Sequence, residues 1–144
     1  MSKRLFIAVI LGVGTSSALA AAPCNQQTTR GAWVYTCEGT LPTPSPTPTR
    51  MLGTCTASKS AYWTCEGNVN LGGQIIPHSL QGQASNNANC TGFISYTHTL
   101  GGASVGTLDI TYVIASDGDE LSGLPINSGG VLSCSLKRIG GHSD

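Results

Sequence analysis

Charge is scarce in this sequence, with only seven Lys and Arg and seven Asp and Glu among 144 residues. The basic residues are scattered apart from Lys137-Arg138. The clustered cationic face that displaces phosphate counterions is therefore missing, and nucleic acid is not an expected partner. No apolar run reaches the roughly 20 residues that span a bilayer's hydrocarbon core. The cysteines form no C-x-x-C pair, and His78, His98 and His142 show neither H-x-H nor H-x-x-x-H spacing. Neither a zinc cluster nor any other metal or cofactor is expected from such spacing. Beyond residue 20 no useful stretch carries a helical period, which leaves strands and turns.

What is present begins at the N-terminus. Lys3 and Arg4 precede the apolar run Leu5–Val13, and Ala18-Leu19-Ala20 follows. This is the order of a secretory signal peptide, with cleavage expected after Ala20. The protein is expected to be secreted or periplasmic, with no membrane span after cleavage. Cleavage leaves five basic against seven acidic side chains. All six cysteines follow the signal, so three disulfides and no free thiol are expected.

Two segments resemble each other. Cys24 leads to Trp33-Val-Tyr35-Thr-Cys37-Glu-Gly, and Cys55 leads to Tyr62-Trp63-Thr-Cys65-Glu-Gly. Between them, residues 41–50 carry Pro at alternate positions, which removes backbone donors and predicts an extended spacer outside any sheet. Residues 21–40 then read as an N-terminal cystine-closed segment tethered to a main domain at 51–144. Within that domain, Phe93–Leu100, Val105–Ile114 and Val131–Ile139 alternate apolar and polar residues with period two, and Val69–Ile76 is a weaker strand. Gly101-Gly102, Asp117-Gly118 and Ser128-Gly129-Gly130 punctuate them as turns. The expected fold is all-β, a small disulfide-stabilised antiparallel β-sandwich.

Strand phase and the repeat favour the pairings Cys24–Cys37, Cys55–Cys65 and Cys90–Cys134. Cys37–Cys65 is the main competitor among 15 connectivities.

Several constellations invite a chemical reading. Gly102-Ala-Ser104-Val-Gly106 matches a nucleophile elbow, with Asp117 and His142 following in hydrolase order. A strand follows the serine, however, where the elbow needs a helix, so a hairpin turn is expected instead. Asp117-Gly118-Asp119-Glu120 lacks the ligand spacing of a calcium loop and reads as a solvated turn. His98 reads as a half-buried residue making one hydrogen bond. Asn89-Cys90-Thr91 fits a glycosylation sequon, relevant only in a eukaryotic secretory pathway.

The aromatic pairs Trp33, Tyr35, Tyr62 and Trp63 carry the most interest. Rings at adjacent strand positions face opposite ways, so one of Tyr62 and Trp63 faces out. The expected outward ring is Trp63, with Tyr62 inside; the competing view makes these rings a small core over the disulfides. Taken together, the sequence predicts a non-catalytic binding or structural protein of the cell exterior: an envelope component, appendage subunit or protein ligand. Its partner would be an unknown protein or polysaccharide, with self-assembly a further option. The alternative is a carbohydrate-binding module that uses exposed aromatic pairs.

Overall fold

The computed structural model describes residues 23–42 and 45–140; the expected signal peptide and His142 lie outside the described residues. Eight strands follow one another: β1 Gly31–Leu41, β2 Thr47–Ala57, β3 Tyr62–Leu71, β4 Gln74–Asn86, β5 Thr91–Leu100, β6 Ala103–Ile114, β7 Glu120–Pro125 and β8 Val131–Ile139. Each pairs antiparallel with the next, and β8 returns to pair with β1 from Ala32↔Ile139 to Thr40↔Val131. The sheet is a closed barrel, and the sandwich expected from the sequence is corrected. Period-two alternation looks the same in both architectures. Closure depends on first and last strands meeting, a non-local pairing that leaves no local signature and removes both sheet edges.

The expected tethered N-terminal segment is corrected with it. Residues 31–41 form β1, hydrogen-bonded on both sides, and residues 47–50 of the supposed spacer open β2. Pro48 is tolerated because of where its ring nitrogen faces. Its carbonyl accepts from Gly72 N–H, just past the last β2–β3 pair Thr49↔Leu71. A strand residue's nitrogen and carbonyl face the same neighbour, so the missing donor points beyond the end of that ladder. Pro77 repeats the device at the end of the β4–β5 ladder, where its carbonyl accepts from Gly101. The weak strand expected over 69–76 is in fact the end of β3, the Gly72-Gly73 turn and the start of β4.

Inward-facing side chains fill the barrel. Glycines at inward strand positions make room for rings: a Cβ at Gly53 would lie 2.8 Å from the Tyr35 ring, and one at Gly67 2.6 Å from its hydroxyl. Tyr35 therefore lies across two strands that have no side chain beneath it.

The three disulfides join Cys24–Cys90, Cys37–Cys134 and Cys55–Cys65, and no cysteine is free. The local pairing Cys55–Cys65 agrees with expectation, whereas Cys24–Cys37 and Cys90–Cys134 are corrected by an exchange of partners. Cys37 and Cys134 stand directly opposite one another across the β1–β8 seam, with Cα atoms 4.0 Å apart. Cys90 is not part of β5. It sits in the preceding turn with φ +63°, its N–H donating to the Asn87 carbonyl, so strand parity does not extend to it. From there it reaches Cys24 in the segment that crosses one end of the barrel.

Candidate functional site

The end of the barrel near the start of β1 is closed by residues 23–30 and by two indoles packed at a 38° tilt. Trp33 and Trp63 have ring centroids 5.7 Å apart and are 0% and 1% exposed. Trp33 Nε1 donates to the Thr29 carbonyl at 2.9 Å, whereas Trp63 Nε1 is buried with no acceptor. The Arg138 guanidinium lies 4.4 Å from the Trp33 ring centroid. Its Nε donates to Asp119 Oδ1 at 2.9 Å, its Nη2 donates to the carbonyls of Thr28 and Gly118 at 2.8 Å each, and its Nη1 donates to the Arg30 carbonyl. One arginine thereby joins the N-terminal segment, the β6–β7 turn and the indole plug.

A polar chain runs through the interior. The Tyr35 hydroxyl lies 2.6 Å from His78 Nε2, and His78 Nδ1 lies 3.3 Å from Nε2 of half-buried His98. Burial first, and the facing His98 second, push His78 down to about 4; burial also lowers His98 and raises Tyr35. No carboxylate faces this chain from the strands around it, so it holds two neutral imidazoles and a neutral phenol. The interior has an internal cavity of about 30 Å³ beside Tyr35, Met51 and Tyr96. That is room for a water or two and not for an organic ligand.

The hydrolase-like constellation does not assemble. Ser104 stands beside the β5–β6 turn and Asp117 in the β6–β7 turn, at opposite ends of the barrel. Asp119 and Glu120 pair with Arg138 and Lys137. Among the described residues, no group of three or more His, Cys, Asp and Glu side chains is placed to hold a metal ion.

Of the four aromatic residues singled out in the sequence, Trp33, Tyr35 and Trp63 face inward and Tyr62 is 44% exposed. The expectation that Trp63 faces out and Tyr62 in is reversed. Its physical reason is alternation: Trp63 lies two residues from Cys65, as Tyr35 does from Cys37, so each ring shares its cysteine's inward face. Among the described residues the other outward aromatic is Phe93, at 40% exposure, which is not among the four. Its phase was readable, because it is out of step with Ile94, Tyr96 and His98 on the inward face of β5.

Tyr62 and Phe93 stand on the outer wall of β3 and β5, on either side of β4. The register aligns Tyr62, Gln83, Ser95 and Asp109 in one row across the wall and Thr64, Gln81, Thr97 and Thr107 in the next. The Ser95 hydroxyl donates to Asp109 Oδ1 at 2.5 Å, and Gln83 Nε2 donates to the Ser60 carbonyl, so the row that carries Tyr62 is held in place. Comparison of the chain with protein-family models, curated proteins and solved structures finds no match.

Proposed function

We propose that this protein is a non-catalytic binding or structural component of the cell exterior. The observation that supports this most directly is the filled interior. With the barrel packed and one end plugged, a partner larger than a water molecule meets the outer surface, its wall or its ends. Three intramolecular disulfides are consistent with an oxidising, extracytoplasmic compartment. The outward side chains of the wall mix Thr36, Glu38, Thr54, Thr64, Glu66, Gln81 and Thr97 with exposed Val34, Leu52, Val113 and Leu124, while the inward ones are mostly apolar. A membrane-spanning barrel needs a continuous outward apolar band, which Glu38, Glu66, Gln81, Gln83 and Lys137 interrupt here, so the wall suits contact with water. Fractionation of the source cells with thiol labelling tests the reading. The protein should be recovered fully oxidised, outside the cytoplasm, and attached to envelope or extracellular material. Recovery from the cytosol with reactive thiols would overturn it.

A further inference from the structure

We infer that the outer wall of β3–β6 is a binding face for a neutral glycan, gripped by Tyr62 and Phe93. This deepens the proposed function and rests on it. Seven aromatic residues lie among the described positions, and five of them are inside the barrel. The two that face water lie on the same wall. From strand spacing and rise, their positions are about 12 Å apart, a span that a short oligosaccharide bridges. An exposed ring on a rigid strand offers a flat apolar surface to the C–H face of a pyranose. Between and beside the rings stand Thr64, Gln81, Gln83, Ser85, Ser95 and Thr97, amides and hydroxyls that can exchange hydrogen bonds with sugar hydroxyls.

Charge decides the class of glycan. Strands β3, β4, β5 and β6 contain no Lys or Arg, and their only carboxylates are Glu66 and Asp109. A polyanion would find no cation on these strands and two like charges, with Lys59 at the edge of the face in the β2–β3 turn as the one nearby cation, so an acidic polysaccharide is disfavoured. A protein partner fits less well for a different reason. The core of a protein interface is a contiguous apolar cluster, and here no aliphatic side chain lies between the two rings. Asp109 is fixed by the Ser95 hydroxyl and leaves its second carboxylate oxygen to accept from a sugar hydroxyl.

The test is sedimentation of the intact, oxidised protein with insoluble neutral polysaccharides (cellulose, chitin and a β-1,3-glucan), with pectate as the acidic comparison. Retention on at least one neutral polymer and none on pectate is expected. Tyr62→Ala and Phe93→Ala should each weaken that retention by about tenfold or more, and Tyr62→Phe should keep most of it. Val131→Ala, at an 82% exposed position on the opposite wall, should change nothing. The rings are 44% and 40% exposed, so each variant should melt within about 8 °C of the parent, still folded at the assay temperature, which separates lost binding from lost fold. Absence of binding to every neutral polymer, preference for pectate, or retention indifferent to both ring removals would each overturn the inference. A protein that fails these assays but fractionates with the cell exterior overturns this face alone. One found in the cytosol overturns the broader proposal as well.

Discussion

Replacing Arg138 by Met should unlatch one end of the barrel while leaving its wall standing. The arginine side chain is 4% exposed, and its guanidinium serves three carbonyls, one carboxylate and the face of Trp33. Hydrogen bonds from a charged donor contribute about 1.5–3 kcal/mol each, but here they act as a unit and do not add. The carbonyls of Thr28, Arg30 and Gly118 regain water once the segment loosens. The net loss should then be about 4 kcal/mol, within the range for removing one partner of a buried ionic cluster. For a chain of this size that lowers Tm by about 15 °C. Asp119 is 54% exposed, so Asp119→Asn should cost under about 1 kcal/mol. That comparison assigns the effect to the carbonyls and the ring instead of the ion pair. Thermal melts followed by circular dichroism, with the disulfides kept oxidised, measure both variants. Amide exchange should rise at 25–30 and 115–119 in Arg138→Met and stay slow in β3–β5. A Tm within about 3 °C of the parent would refute the latch.

Acid should weaken the barrel through its histidines. His78 and His98 have folded pKa values below the ordinary 6.5, so the unfolded chain takes up protons first. Stability is full above about pH 6.5 and falls as pH drops toward 4, by up to about 1.4 kcal/mol per pH unit from His78, with half-buried His98 acting in the same direction. Urea midpoints at pH 7.5 and 4.5 should differ accordingly, and His78→Gln should reduce the difference; equal midpoints in the parent would contradict it. Iodide should leave both tryptophans unquenched. Trp63→Phe should destabilise less than Trp33→Phe, because only the Trp33 indole loses a hydrogen bond; the reverse order in urea titrations would count against the placement of the two rings. Removing Cys37–Cys134 as a double Ala variant should cost roughly 5 kcal/mol, against roughly 3 for Cys55–Cys65. Sequence separations of 97 and 10 set that order, and denaturant titration reads it.

The strands with clean alternation were legible in the sequence because burial on one face writes period two directly. β5, β6 and β8 match the expected segments within about two residues. β2 was hidden by its prolines, whose harmless placement depends on where neighbouring strands stop. β7 is six residues long, too short for a convincing alternation. Barrel closure was not legible, since the pairing of β1 with β8 follows from the curl of the whole sheet. A faint trace of it exists in Gly53, Gly67 and Gly82, which sit mid-strand where an open sheet would place side chains. The disulfides divide the same way: inward phase was readable for Cys134, but which cysteine stands opposite depends on register. For the candidate site, the adjacent pair Tyr62-Trp63 shows that one ring faces out but does not by itself say which, and Phe93 has no aromatic neighbour to mark it. The parity of Cys65 and Ile94 would have oriented both. That the two rings share one wall depends on strand order, which the sequence does not display.

The bond across the seam also sets how the protein carries force. Tension applied at the N-terminal side enters at Cys24, and tension at the C-terminal side leaves from Cys134. The shortest covalent route between them is the backbone from Cys24 to Cys37 and a single sulfur–sulfur link. The other route, through Cys90 and the chain to Cys134, is longer and stays slack while the first is taut. Strands β2 to β7 thus hang outside the load path as a covalently closed loop. A protein held at one end and pulled at the other would lengthen only by its first strand and its tail. The wall that bears Tyr62 and Phe93 would keep its shape under strain.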